Sequence, residues 1–180
     1  MQRDDDLLEL ASVNPELKFE VTKNGELVIM SPTGGDGGIR NVKISTRLEI
    51  WSEQSGLGVT FDSSTMFALP NGAKRSPDAS WVTLEQWNAL TQEQRLKFPP
   101  LCPDFVVELR SPTDSLKDGQ AKMNEYREQG AKLGWLIEPQ NKTVYIYRPG
   151  ENVEVLESPT KLSGENVLPG FELQLARILF

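Results

Sequence analysis

The chain has 180 residues, no histidine, a single cysteine and a formal net charge of −7. Without histidine there is no His-based triad, Cys–His pair or imidazole metal site, and one cysteine excludes internal disulfides and thiolate zinc sites. Any catalysis must therefore rest on carboxylates, Lys, Tyr, Ser or a metal ion held by oxygen ligands.

The length predicts one domain, spanning 1–180, that buries roughly 70% of its unfolded surface and needs neither a metal nor a disulfide to fold. No apolar run approaches the ~18 residues of a membrane span, and the first six residues lack the basic and apolar regions of a signal peptide. We therefore expect a cytoplasmic protein with no membrane partner. The negative charge argues against coating nucleic acid by bulk attraction, but it allows a local basic track or a metal-bridged phosphate contact.

Hydrophobic periodicity and turn residues divide the first half of the chain into short elements. Asn24-Gly25 lies between two β-prone runs, which is a strong hairpin signal. The segment 31–38 contains four glycines but no Walker lysine, so we interpret it as a hinge or a substrate-facing rim. The predicted elements are a helix at 6–14, hairpin strands at 19–22 and 26–30, a helix at 39–54, and strands at 58–61 and 66–69.

A basic stripe runs along the predicted helix 39–54. Its members, Arg40, Lys43 and Arg47, are three or four residues apart and therefore share one helix face. We favour a solvated face over a phosphate-binding track for this stripe.

The second half of the chain is organised around an apolar strand within 103–112. Thr83 and Thr91 each begin a capping-box pattern, which predicts two short helices before the Pro-Pro pair at 99–100. The remaining predicted elements are a helix from Thr113 or Asp114 to about Gln129 with Gly130 as its terminator, strands at 133–137, 143–147 and 152–156, and a final segment, 171–180, that begins extended and ends helical.

The apolar strand carries one carboxylate in its interior. Alternation places Glu108 on the same face as Val106 and Arg110, opposite Phe105 and Val107. An ionised group in a buried strand is costly unless it is paired or bound to a cation. Two explanations stay open: an ion pair with Arg110 or a nearby lysine, or a role as a metal ligand.

Asp78 and Lys122 are consistent with the second explanation, in which Glu108 is a metal ligand. Asp78 stands where a loop enters a strand, so Asp78 and Glu108 on neighbouring strands, with the Leu109 carbonyl, could hold Mg²⁺ or Mn²⁺. Lys122 and Tyr126 share one face of the following helix, and a nearby lysine can orient water or stabilise a phosphorane. Taken alone, Asp78 also fits a turn or cap residue, and Lys122 a surface lysine.

Several motifs spread along the chain occur together. They are Pro-Asp at 77–78, Pro-Asp-Phe-Val-Val-Glu-Leu-Arg-Ser-Pro-Thr-Asp at 103–114, Lys-Met-x-x-Tyr at 122–126 and Gly-Ala-x-x-Gly-Trp-Leu-Ile at 130–137. Shorter motifs stand at 19–20, 25–27, 31–32 and 168–171. Together they resemble the Uma2 family, or DUF820, which is abundant in cyanobacteria and is assigned to the PD-(D/E)XK restriction-endonuclease-like superfamily.

The resemblance implies an α/β (α+β) fold, with a mixed β-sheet core flanked by helices, and a divalent-metal nuclease site. By position, Asp78 and Glu108 would hold the metal. Lys122 would be the catalytic lysine, displaced onto the following helix, and Glu20 would be an accessory acid, although its residue pattern alone indicates an exposed strand position. Arg110 stands where the superfamily motif has Lys, so either Arg110 or Lys122 supplies the positive charge; arginine cannot act as a base.

The implied function is a Mg²⁺- or Mn²⁺-dependent DNA endonuclease that hydrolyses phosphodiester bonds. The alternative is a catalytically silent nuclease-fold protein that binds nucleic acid or a protein partner. A hydrolase of another ester is a weaker third option, which no motif supports. Because cutting both strands of a duplex usually calls for two active sites, we also expect a homodimer.

Overall fold

The computed structural model describes residues 4–15 and 17–180. In these residues the helices are α1 (Asp4–Val13), α2 (Gly35–Ser55), α3 (Leu84–Ala89), α4 (Gln92–Leu96) and α5 (Leu116–Gln129). The strands are β1 (Lys18–Val21), β2 (Leu27–Met30), β3 (Gly58–Asp62), β4 (Phe67–Ala68), β5 (Lys74–Arg75), β6 (Ala79–Thr83), β7 (Phe105–Leu109), β8 (Leu133–Glu138), β9 (Thr143–Tyr147), β10 (Glu154–Glu157), β11 (Lys161–Ser163) and β12 (Glu172–Gln174).

A six-stranded mixed sheet forms the centre of the fold, in the order β10-β9-β8-β7-β6-β3. Strands β7 and β8 pair in parallel, with α5 as the crossover between them, and the other neighbours are antiparallel. A four-stranded antiparallel sheet, β2-β1-β5-β4, and a small β11-β12 pair complete the architecture. The predicted mixed sheet flanked by helices is confirmed. No helix within the described ranges is long and apolar enough to cross a membrane.

Different helices pack against the two faces of the six-stranded sheet. Phe105 and Val107 face the cluster that contains Ile44 and Leu48 of α2, together with apolar residues of the final segment 162–179. Val106 faces the cluster that contains Met123 and Tyr126 of α5. Alternation along β7 therefore directs Glu108 towards α5.

Helix α5 lies close to the sheet because small residues stand at the contact. A β-carbon at Gly134 of β8 would lie 2.5 Å from Met123 Cε and 3.3 Å from Val106 Cγ2. On α5 itself, a β-carbon at Gly119 would lie 3.4 Å from the Leu136 side chain. This close packing sets the distance between α5 and the carboxylate on β7.

The hairpin and the capped helices are confirmed. Strands β1 and β2 are antiparallel, and Gly25 has a φ of +85°, which glycine adopts without the steric cost of a side chain. Thr83 accepts the Gln86 N–H at the start of α3, and Thr91 forms a full capping box with Gln94 at the start of α4.

Several predicted boundaries are wrong. Helix α2 begins at Gly35, not at 39, because the cooperative helix extends back through glycines that are poor but permitted helix formers. The N-cap of α5 is Ser115 and not Thr113 or Asp114; Asp114 instead accepts the Ser111 N–H in the preceding turn. The segment 176–179 forms one turn, not a helix, and β5 and β11 were not predicted.

A buried carboxylate, Asp104, fixes the start of β7. Asp104 accepts the Thr83 N–H at 2.9 Å, the Gln86 side-chain amide at 2.7 Å and the Lys132 ammonium at 2.8 Å. It thereby connects the end of β6 and the first turn of α3 to the chain that enters β8.

Replacing this acceptor should destabilise the protein. For Asp104→Ala we expect the free energy of unfolding to fall by about 2–4 kcal/mol, because the partly buried Thr83 N–H and Gln86 amide lose their charged acceptor. The measurement is urea denaturation. The matched control is Asp5→Ala, which removes an exposed pair with Lys97 and should change stability by less than ~0.5 kcal/mol. Equal losses in the two variants would contradict this role for Asp104.

Candidate active site

Asp78 comes directly before β6, and Glu108 lies on the neighbouring strand β7. Strands β6 and β7 pair antiparallel, with Ala79 opposite Val107. The same register, continued by one residue, sets Asp78 opposite Glu108. The expectation that the two strands are neighbours is confirmed, with Asp78 directly before β6.

Asp78 binds the backbone of the central strand beyond the end of the β6 ladder. Its Oδ2 accepts the Leu109 N–H at 2.8 Å. The N–H and C=O of one strand residue point to the same edge, so the Leu109 carbonyl is also directed to the Asp78 side. Burial raises the pKa of Asp78, and the Leu109 N–H and the charge of Lys122 offset this only in part. Asp78 thus has a structural contact as well as its candidate role.

Glu108 is held through one of its two oxygens. Oε1 accepts the Lys122 ammonium at 2.8 Å and the Tyr126 hydroxyl at 2.9 Å. Burial raises the pKa of Glu108 to about 7, against the opposing effect of Lys122, and the negative charge of Asp78 adds to the rise. Lys122 alone therefore does not offset the cost of burying the charge of Glu108.

Lys122 lies between two carboxylates. Its Nζ is 2.8 Å from Glu108 Oε1 and 2.7 Å from Glu20 Oε1, and 14% of its side chain is exposed. Burial alone would lower the pKa of Lys122, but the two carboxylates outweigh burial and leave the pKa raised. Lys122 is therefore a fixed cation at neutral pH, suited to stabilising charge and not to acting as a base.

Glu20 is buried, so its interpretation as an exposed strand residue is wrong. Its Oε1 accepts the Ser76 N–H at 2.8 Å as well as Lys122, and Oε2 accepts Arg75 at 3.1 Å. Burial would raise the pKa of Glu20, but Lys122, the Ser76 N–H and Arg75 together leave it lowered. Glu20 thus remains an ionised anchor for Lys122.

Arg110 pairs with a carboxylate other than Glu108. Its guanidinium pairs with the buried Glu138, and its Nε donates to the Asp114 carbonyl at 3.0 Å. The ion pair of Glu108 is therefore made by Lys122, and of the two candidate cations only Lys122 contacts Glu108 within the described ranges.

Sequence reasoning missed Arg75 as a member of this cluster. The Lys-Arg pair at 74–75 indicates only a positively charged turn, and nothing in its spacing connects it to Glu20. The basic stripe on α2 lies elsewhere: Arg40 and Lys43 donate to the carbonyls of Ile178 and Arg177. Two members of the stripe therefore help to hold the final segment and are not simply a solvated face.

Asp78, Glu108 and the Leu109 carbonyl are oxygen donors of the kind that would hold one hydrated divalent cation. Among residues 4–15 and 17–180, no hydrogen bond reaches Asp78 Oδ1 or Glu108 Oε2. The same residues contain no group of three or more His, Cys, Asp or Glu that could hold a metal ion. Mg²⁺ commonly takes only one or two carboxylates and completes its shell with water and substrate oxygens. Asp78, Glu108 and the Leu109 carbonyl suit that mode of binding.

The fold is similar to solved structures. A crystal structure of "a putative nuclease belonging to DUF820 from Anabaena variabilis ATCC 29413" has a TM-score of 0.81 and 17% identity, covering 99% of this chain and 98% of that chain. A cryo-electron-microscopy structure of a DrdV–DNA complex has a TM-score of 0.41 and 17% identity, covering 68% of this chain and 11% of that chain. The first similarity shows a shared fold; the second is too weak to support a conclusion. No curated protein sequence matches the chain significantly.

The sequence profile of one family matches almost the whole chain. The match spans residues 4–176, and the family's description is "Putative restriction endonuclease". It agrees with the motifs at 77–78, 103–114, 122–126 and 130–137. The chain belongs to the Uma2 family.

Proposed function

We propose that the chain is a divalent-metal-dependent DNA endonuclease that hydrolyses phosphodiester bonds. The observation that carries the proposal is the contact of the Lys122 ammonium with Glu108. Glu108 is the residue that the strand register, continued by one residue, sets opposite Asp78. Membership of a family described as "Putative restriction endonuclease" and the DUF820 fold support nuclease chemistry. In this proposal Asp78, Glu108 and the Leu109 carbonyl bind Mg²⁺ or Mn²⁺.

Each side chain has a distinct task in the proposed reaction. A bound divalent cation supplies an activated water and neutralises charge on the phosphate. Lys122 stabilises the negative charge that develops on the phosphorane, because its ammonium is already fixed and partly shielded from solvent. Tyr126 holds Oε1 of Glu108, which leaves Oε2 for the cation. Glu20, the proposed accessory acid, acts by holding Lys122 in place.

A catalytically silent nuclease-fold protein is the second candidate. One observation favours it: Lys122 pairs with both Glu20 and Glu108, so each of these carboxylates already has a cationic partner without a metal. Such ion pairs are a structural explanation for both buried carboxylates. Metal binding therefore separates the two candidates.

Calorimetric titration with Mg²⁺ or Mn²⁺ tests the proposed ligands. We expect the wild-type protein to bind one cation, and Asp78→Asn to abolish binding while keeping an acceptor for the Leu109 N–H. The matched control is Asp118→Asn, on an exposed position in the first turn of α5, which should bind as the wild type does. Absence of binding by the wild type, or unchanged binding by Asp78→Asn, would contradict the proposal.

Lys122→Met tests the electrostatic role, because it keeps most of the side-chain stem and removes the charge. We expect Mg²⁺-dependent cleavage of DNA to fall by ~100-fold or more, on the scale of losing one electrostatic stabiliser. Metal affinity should hold or rise, since a nearby positive charge has gone. Lys161→Met, which breaks an exposed pair with Glu172, should cleave normally. Wild-type rates for Lys122→Met would show that this site does not use Lys122.

We also propose a homodimer and a cytoplasmic location, both from the sequence. Two copies would supply the two active sites that cutting a duplex calls for. Light scattering at micromolar concentration should give twice the chain mass of 20.2 kDa. A mass of one chain under these conditions would exclude the homodimer without affecting the metal site.

A further inference from the structure

A second set of charged side chains contacts Glu20, the carboxylate that binds the proposed catalytic lysine. Arg75 on β5 donates from Nε to Glu125 Oε2 at 2.6 Å and from NH1 to Glu20 Oε2 at 3.1 Å. Asn71 donates to the other oxygen of Glu125 at 3.0 Å and accepts the Ala73 N–H at 3.0 Å. The set forms a continuous chain of contacts from the turn before β5 to Lys122.

This chain of contacts joins α5 to the four-stranded sheet at two points. Glu125 comes three residues after Lys122, so the two side chains project from neighbouring positions on α5. Lys122 binds Glu20 on β1, and Glu125 binds Arg75 on β5. The side chains of Arg75 and Glu125 are each 13% exposed, which protects their ion pair from screening by solvent.

The guanidinium geometry suits this double contact. Arg75 uses two different nitrogens, each directed at a separate carboxylate. A lysine is a compact point charge on a flexible stem and lacks this planar fork. Arginine at position 75 therefore fixes the orientation of Glu20 as well as balancing its charge.

We propose that Arg75, held by Glu125 and Asn71, is a positioning residue that fixes Glu20 and through it keeps Lys122 on Glu108. The proposal rests on the catalytic role proposed above for Lys122. Arg75 does not touch the substrate in this account. It acts on the reaction only by setting where the Lys122 ammonium stands.

A double-mutant cycle in the cleavage assay tests whether Arg75 acts through Lys122. In the wild-type background, Arg75→Met should lower kcat by ~10-fold or more, as outer-shell partners commonly do, and leave KM for DNA unchanged. In the Lys122→Met background the same substitution should change kcat by less than ~2-fold, since the side chain it positions is gone. Additive losses, or a raised KM with an altered salt dependence, would indicate direct contact with DNA and overturn the proposal.

A second readout does not depend on nuclease activity. Lys122 is treated with an amine-reactive acylating reagent, on metal-free protein without DNA, and its modification is mapped by mass spectrometry. Acylation of Lys122 should be several-fold faster in Arg75→Met, because Glu20 no longer keeps the Lys122 amine in place. Glu125→Gln should change the rate in the same direction, and Arg75→Lys should not restore the slow rate. Unchanged acylation at Lys122 in folded Arg75→Met protein would overturn the positioning role.

The matched control is Arg148→Met. Arg148 is likewise an arginine shared between carboxylates, those of Glu151, Glu154 and Glu165, but it lies in another part of the structure. Its loss should lower stability without changing acylation of Lys122 or kcat. If Lys122→Met cleaves DNA at the wild-type rate while acylation still responds to Arg75→Met, the proposed catalytic role fails and the anchoring of Lys122 stands.

Discussion

The contact of the Lys122 ammonium with two carboxylates is the interaction on which the site depends. Glu20 and Glu108 come from different sheets, and both are removed from most of the solvent. Two buried carboxylates without a cation would carry an uncompensated charge, and removing one partner of such a pair commonly costs several kcal/mol. Lys122 therefore joins β1, β7 and α5 electrostatically.

The fold supplies the geometry for this contact. The antiparallel register of β6 and β7 brings Asp78 beside the end of the central strand, and the parallel crossover from β7 to β8 lays α5 over the same face. Gly134 lets α5 approach the sheet closely enough for Tyr126 and Lys122 to reach Glu108. The packing of α5 on the sheet thus places the same side chains, Tyr126 and Lys122, that bind Glu108.

Sequence patterns predicted local elements well because turn chemistry and two-residue alternation are local signals. Glu108 was identifiable because a lone carboxylate interrupts an apolar strand, and the family motifs pointed to Asp78 and Lys122. The burial of Glu20 was missed because Phe19 and Val21 already supply the buried face of β1, so alternation indicates solvent for Glu20. Its partner Arg75 stands on a two-residue strand without any periodic pattern, and their pairing across 55 residues has no signal in one sequence.

The proposed role of Asp78 and Glu108 is to bind the metal ion for cleavage of DNA. The most direct measurement is nicking of supercoiled plasmid by wild type and by Glu108→Gln, each with Mg²⁺ and with excess EDTA. We expect open-circular plasmid only for wild type with Mg²⁺, because the neutral amide keeps the shape of Glu108 but cannot supply its charge to a cation. Equal nicking by wild type in Mg²⁺ and in EDTA, or equal nicking by wild type and Glu108→Gln, would contradict it.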